Sequence, residues 1–514
     1  MRPRLLSLAR QLLTASLALP PLGACGSLVH VPGLPPVPPD VLERAFTSAE
    51  VAADVEHLFA MLEEVHPDPY REVSRELTGE RRQALLQGLD RPLTRRELQP
   101  RLAELVAALG DGHTSVHLPA EEFWSDPQGA ASSFPIDVAW DGRSLAVRRT
   151  AVVTPDGALA PGALLLEIAG RPAAELVQTF LARQSGESEA FRVAGIERNF
   201  PMHLWLEGTK PPFRARVASA LDDAHTFEID LPGMPWGSVV RGEAPGAGEP
   251  WRLERHGDGV AVLTLDTFAR DLDDLEDFLE RTFESLAKEP PSALVVDLRS
   301  NGGGDSRLGD ELLQYVSDRP WRQAARKEWR VSAPMKGHLK SLLPAWIRWL
   351  PVQYVHPMGR RLWRTREGEL AIFEEERVKP RDEPLRYRGP LAWLIGPSTF
   401  SSAMGLAAGA QDCGRGLLVG SETGGVANGF GEVLPFRLPH THLAVQISTA
   451  FFVRADGDRS ARGGIQPDIA VSAVPGSRAV LGAGAWHRTS PDVDGDPVLE
   501  AAIEALRDPD ADPR

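Results

Sequence analysis

Cysteine is almost absent: 514 residues hold only Cys25 and Cys413. A disulfide framework and a thiolate-based metal cluster are both excluded by so few sulfurs. Positive charge is also short, with 56 Lys and Arg against 71 Asp and Glu, a formal net charge of -15. That balance argues against a general nucleic-acid binder, which needs a basic face to neutralise phosphates. No Gly-Lys-Ser/Thr ending follows the Gly-rich turn at Gly302–Gly304, so a nucleotide P-loop is not indicated. No cofactor and no metal site is expected.

The N-terminal stretch from Leu12 to Leu19 is apolar but far short of the roughly 20 residues that span a bilayer as a helix. It follows Arg2, Arg4 and Arg10 and precedes small residues, the plan of a secretory signal. Leu22-Gly23-Ala24-Cys25 resembles the lipobox of bacterial lipoproteins, which implies a signal peptide over 1–25, acylation of Cys25 and a lipid anchor in the bacterial cell envelope. A plain cleaved signal with an ordinary Cys25 is the alternative. Cys413 then stands alone, as a small buried filler. A proline-rich linker over 26–47 reads as an extended, semi-rigid tether.

At this length the remainder divides into several units. Apolar residues at helical spacing predict an N-terminal helical region over 48–120. Short alternating runs over 133–232, with a strand, an Ala169-Gly170 turn and a helix at their centre, predict a small β-rich domain of PDZ type, or a β-rich spacer. Strands such as "GVAVLTLDTF" and "SALVVDLRS" alternate with helices over 250–475 and predict an α/β domain with a largely parallel sheet. Inside it, 319–388 is a basic, Trp-rich insertion, readable as a cleft lid, a membrane contact or a packed subdomain. Residues 476–514 read as a C-terminal tail.

Two turns in the α/β part carry candidate chemistry. In "VVDLRSNGGGDS" a buried strand runs into three glycines and then a helix, a place where amides can hold an anion. In "LAWLIGPSTFSSAMGLAAGA" strand, tight turn and helix follow one another, and Ser401 and Ser402 sit where a hydroxyl is exposed or caps the helix. A serine nucleophile needs a base, and the turn "ALGDGHTSV" offers His113; His66 and His117 are the other candidates.

Together, "GDGHTS", "DLRSNGGG", "TFSSAMGLAAGAQDCGRGLLVGSETGG" and "GGIQPDI", in that order, resemble the tail-specific or C-terminal processing serine peptidases, over about Ser48 to Ala473. The resemblance implies a Clp protease/crotonase-type α/β fold with a helical region and a PDZ-like domain, and a peptide or protein substrate. It implies Ser401 as nucleophile, with the amides of Ser402 and of Gly302 or Gly303 as oxyanion hole. The lysine of the Ser-Lys branch is missing, since Gly425-Val426-Ala427 stands there. This points to the tricorn-like branch, with His113 as base. The family's serine before that histidine is Gly112 here, and its glutamate before the final Gly-x-x-Pro-Asp is missing. Asp111, Glu422, Asp456 and Asp458 are the candidates for the acid that orients His113. A non-catalytic lipoprotein binding a peptide or lipophilic ligand in the same cleft is the second functional reading.

Overall fold

Paired caps decide where the first long helices begin. Thr47 and Glu50 form a reciprocal capping box at the start of α1 (Ser48–Val65); α2 (Arg75–Gln87) follows from the N-cap Ser74; and Thr94 with Glu97 caps α3 (Arg95–Ala107) in the same way. The computed structural model describes residues 34–154, 159–219, 225–238, 249–256, 259–471 and 496–507. The expected signal peptide and Cys25 lie outside the described residues. Gly110, at φ +71°, ends the third helix. The chain then turns through residues 111–114 into a short strand, β1 (Ser115–Val116).

The next unit is an antiparallel sheet of β2 (Ile136–Trp140), β3 (Leu145–Thr150), β4 (Leu164–Ile168), β5 (Phe213–Ala218) and β6 (Thr226–Leu231), in that spatial order. Between β4 and β5 the chain forms α4 (Ala173–Leu181) and α5 (Glu189–Leu206), which cover one face. Phe134, Val138, Phe180, Phe200 and Phe213 fill the space between.

From Trp251 the chain alternates strand and helix. In chain order it forms β7 (Trp251–Arg255), β8 (Val260–Leu265), α6 (Leu272–Lys288), β9 (Ala293–Asp297), α7 (Ser306–Val316), β10 (Ala324–Arg330), α8 (Ala333–Ser341), α9 (Pro357–Arg364), β11 (Leu370–Glu374), β12 (Leu391–Ile395), α10 (Ser402–Asp412), β13 (Leu417–Gly420), β14 (Phe430–Arg437), β15 (Ala444–Arg454), β16 (Ile469–Ala470) and α11 (Pro497–Arg507). One sheet runs β7-β8-β9-β12-β13-β16, parallel except for β7 at the edge. The period of two explains its apolar strands. Leu263, Leu265, Leu294, Val296, Trp393 and Ile395 face α6, α7 and α10. Their neighbours Val262, Val295 and Leu394 face Val498, Ala502 and Ile503 of α11. Part of the segment read as a tail therefore closes the second face of the sheet.

The second sheet runs β11-β10-β15-β14, and β1 pairs with β15 through Val116↔Val445 and Ser115↔Gln446. The basic segment read as an insertion thus contributes β10 and β11 to a sheet. Its strand signal was hidden because its burial does not alternate: Ala324 and Ala325 are buried, Arg326 and Lys327 lie at the margin, and the charged Glu328 is buried with Trp329. The pairing of β1 carries the turn before it, and with it His113, onto the α/β part.

Candidate active site

Ser401 sits between β12 and α10 in a backbone conformation unusual for a side-chain-bearing residue, φ 53° and ψ -125°. Such strain persists only where the surroundings hold it, and here they do. Thr399 Oγ1 donates to Leu298 O at 2.9 Å and accepts from Gly396 N at 3.0 Å, and Phe400 N donates to Asn301 O at 3.0 Å. Although Ser401 occupies the N-cap position of α10, its hydroxyl makes no capping bond. Its Oγ lies 3.1 Å from His113 Nε2 instead, across 288 residues of sequence.

The Gly-rich turn presses against this corner. A Cβ on Gly303, at φ +95°, would fall 2.7 Å from Ser401 Cβ and 2.8 Å from Phe400 O, so only glycine fits. The Gly303 amide is already engaged, donating to Asn301 Oδ1 at 2.9 Å. Among the described residues the amides of Ser402 and Gly302 make no hydrogen bond. Of the expected oxyanion donors, these two are unengaged.

His113 is buried, and its ring stacks on Phe400 with centroids 4.5 Å apart; Phe400 in turn stacks on Phe191 of α5 at 4.2 Å. The backbone below is an Asx turn, Asp111 Oδ1 accepting from His113 N at 2.8 Å. Asp111 Oδ2 accepts from Ser448 Oγ at 2.6 Å and lies 3.1 Å from His66 Nε2. The His66 tautomer follows from its other nitrogen, since Nδ1 accepts from Asp68 N at 3.1 Å and Nε2 therefore carries the proton that Asp111 receives. Burial pushes the Asp111 carboxyl up, but the hydrogen bonds it accepts, from His66 first and then Ser448, help bring it below the ordinary carboxylate range. Burial lowers His113, against the opposing pull of Asp111.

Asp111 thus holds the His113 backbone and not its ring. The ring Nδ1 has no hydrogen-bond partner although it is buried. The other expected acids are engaged elsewhere. Glu422 Oε1 accepts from Gly464 N, Asp456 pairs with Arg454 at 2.9 Å, and Asp458 accepts from Ser460 Oγ at 2.7 Å. His117 faces Gln446 Oε1 at 3.1 Å.

The missed residue is Glu187, in the loop between α4 and α5. Its Oε2 is buried and unpartnered. One ligating atom each of Asp111, His113 and Glu187 lies within 4.8 Å of the others, the only such trio of His, Cys, Asp or Glu among the described residues. A cation held there would occupy the very histidine that faces Ser401. Burial, then the charge of Asp111, pushes Glu187 up to about 8. The sequence signal for this contact was Gly112, whose Cβ would meet Glu187 Oε2 at 2.7 Å and Phe400 Cζ at 2.9 Å. A serine at that position would displace the carboxylate.

Ser401, His113 and Glu187 open on a cavity of about 370 Å³. Met404, Val426 and Phe430 give it apolar wall, while Lys327 and Glu432 bring charge of both signs. Its size and mixed lining fit peptide side chains. Val426 and the buried Ala427 stand where the Ser-Lys branch carries its base.

Residues 259–471 match the model of peptidase family S41. Three solved structures of CPAF are similar in fold. The mature form is 17% identical, with 82% of this chain and 92% of that one covered and a TM-score of 0.57. A point mutant is 16% identical, with 85% and 95% covered and a TM-score of 0.60. The mature form complexed with lactacystin is 16% identical, with 82% and 94% covered and a TM-score of 0.56. No curated protein matches the chain.

Proposed function

The chain belongs to peptidase family S41 through residues 259–471, the stretch that holds Ser401, and from that premise we propose that this serine peptidase is an endopeptidase with Ser401 as nucleophile and His113 as general base. The approach of His113 Nε2 to within 3.1 Å of Ser401 Oγ carries the reading.

The neutral imidazole takes the Ser401 proton on Nε2 as Oγ attacks the scissile carbonyl. The amides of Ser402 and Gly302 hold the resulting oxyanion, the first with the N-terminus of α10 behind it. As the tetrahedral intermediate collapses, His113 returns the proton to the departing amine. Water then enters, gives a proton to His113 Nε2 as its oxygen attacks the acyl carbon, and on collapse His113 returns that proton to Ser401 Oγ as the acid product leaves. For Nε2 to accept, Nδ1 must carry the other ring proton, and Glu187, whose unpartnered Oε2 lies near the buried ring, is the acid we assign to receive that N–H. It positions His113 and offsets the charge of the imidazolium. Asp111 and His66 hold the turn that carries it.

The substrates on this reading are peptides or proteins of the bacterial cell envelope, met by an enzyme tethered through acylated Cys25. The antiparallel unit of β2 to β6, read as PDZ-like, leaves β6 as an exposed sheet edge on which an extended peptide can be received, while β2 at the other end is buried. Among the described residues no helix is long and apolar enough to cross a membrane.

A fluorophosphonate probe tests the proposal. Covalent labelling of Ser401 is expected, lost in Ser401→Ala and in His113→Ala. A folded protein whose Ser401 stays unlabelled overturns it in favour of a binding protein.

A further inference from the structure

Between Glu328 and Glu367 the sequence has no acidic residue and eight Lys or Arg, in a chain whose net charge is -15. Of those eight only Lys336 reaches a carboxylate among the described residues, that of Glu367 at 3.8 Å. Arg348 donates to Leu343 O at 2.7 Å and to Ser341 O at 2.6 Å, and Arg360 donates to Tyr354 O and Val355 O at 3.4 Å. Bonds to neutral carbonyls fix these guanidiniums but leave their charge uncompensated.

The same stretch carries the most exposed tryptophans among the described residues. Trp346 is 69% and Trp349 78% exposed, and Tyr354 and Val355 lie open beside them in sequence. Trp349 Nε1 donates to the backbone carbonyl of Trp346 at 2.7 Å, which fixes the second indole against the turn that carries the first. Trp346 stands on a 3₁₀ turn (Ala345–Ile347) and Trp349 on the turn that follows it, between α8 and α9. Met335, Leu339 and Leu362 root those helices in the apolar cluster that also holds Val37 and Val41, where the described chain begins. From residues 329–366 only Trp329 and Met358 reach the active-site cavity. The exposed indoles therefore do not cover the cleft, which removes the lid reading for them.

We propose that the surface formed by residues 341–364 docks on an anionic lipid bilayer, with Trp346 and Trp349 at headgroup depth and Arg348, Arg360, Arg361 and Arg364 against lipid phosphates. Indole rings favour the membrane–water boundary, being apolar in body and polar at one edge. Clustered cations near an anionic surface add about fivefold in affinity each. An acidic protein offers the charge but not the apolar layer in which two indoles become buried. The contact would orient the active-site mouth relative to the membrane, in addition to any tether at the N-terminus, and it does not depend on catalysis.

The test uses the full chain made in a cell-free system without acylation, sedimented with vesicles of phosphatidylcholine alone or mixed equally with phosphatidylglycerol. Binding is expected on the mixed vesicles only, and is expected to weaken as salt is raised. The triple change Arg360→Gln, Arg361→Gln and Arg364→Gln should lower affinity about a hundredfold, and Trp346→Ser with Trp349→Ser at least about tenfold. Probe labelling of Ser401 in solution serves as the folding control and should not change. Should a variant fail that control, quenching of wild-type Trp emission by brominated acyl chains in the mixed vesicles decides, with quenching expected. Equal binding to both vesicle types, variants that bind as wild type, or no quenching overturns the proposal, as does capture by an acidic polypeptide without any binding to vesicles.

Discussion

Replacing Glu187 by glutamine keeps the shape of the side chain and removes its charge. With its atoms within 4.8 Å of those of His113, a carboxylate attracts an imidazolium by ~3.5 kcal/mol at an effective dielectric of about 20. Loss of that attraction in the transition state corresponds to a fall of roughly 300-fold in kcat/KM. The fall should lie in kcat, since Glu187 acts on charge that develops after substrate has bound. A fluorogenic peptide followed by steady-state kinetics measures it. The pH profile separates this role from a merely structural one. Burial and Asp111 hold Glu187 at about 8, so the wild-type rate should climb as pH rises toward that value, and Glu187→Gln should lose this limb. Stability should move oppositely. A group raised from 4.5 to about 8 on folding contributes stability that is full below pH 4.5 and lost as pH rises through about 8. Glu187→Gln should therefore resist denaturant better than wild type above that pH while working worse. A variant with unchanged kcat and an unchanged pH profile refutes the assignment and leaves His113 without an orienting acid.

Three further outcomes follow from the same geometry. Burial lowers His113 below the ordinary 6.5, so the limb of kcat/KM on which activity is lost with falling pH should have its midpoint below that value, read in the Glu187→Gln background where the other limb is gone. Gly112→Ala puts a Cβ at 2.7 Å from Glu187 Oε2 and 2.9 Å from Phe400 Cζ; kcat should fall at least tenfold, roughly the cost of a misplaced catalytic group, with probe labelling slowed in parallel. Arg299 is buried between Asp297 at 2.8 Å and Asp496 at 2.7 Å, so Arg299→Gln should cost about 3 kcal/mol in urea denaturation, and proteolysis should then cut first around α11.

The parts of this molecule that were legible in sequence are those whose signal is local. Strand, turn and helix around Ser401 declare themselves because β12 is apolar throughout and α10 begins with small residues. The Gly-rich turn was visible for the same reason, although the choice among its amides was not: that rests on the Asn301 side chain, which engages Gly303. Glu187 itself left no trace, and its only signal was the glycine at 112, because its meaning comes from the packing of α5, through Phe191 and Phe400, against the turn of His113. Glu422, Asp456 and Asp458 were attractive as acids near a family motif, yet Glu422 holds the amide of Gly464, Asp456 pairs with Arg454 and Asp458 serves a local turn. In the basic segment, the burial of β10 does not alternate, and exposure of Trp346 and Trp349 could be read only from the fold.

The site is assembled from three bodies. Ser401 belongs to the α/β core, His113 hangs from the helical region and reaches it through β1 on β15, and Glu187 comes from the antiparallel unit. Two contacts tie that last unit to the corner of Ser401: the ring stack of Phe191 on Phe400, and Ser188 Oγ donating to Gly424 O at 3.3 Å. Both contacts sit within four residues of Glu187, so the loop cannot shift without moving the carboxylate. On the proposed reading, a peptide received by the antiparallel unit would bear on the ring of His113 through these contacts, whereas Ser401 is held in place by its own turn. Changes at the exposed edge β6 should accordingly act on kcat through the histidine and leave the backbone of the nucleophile unaltered.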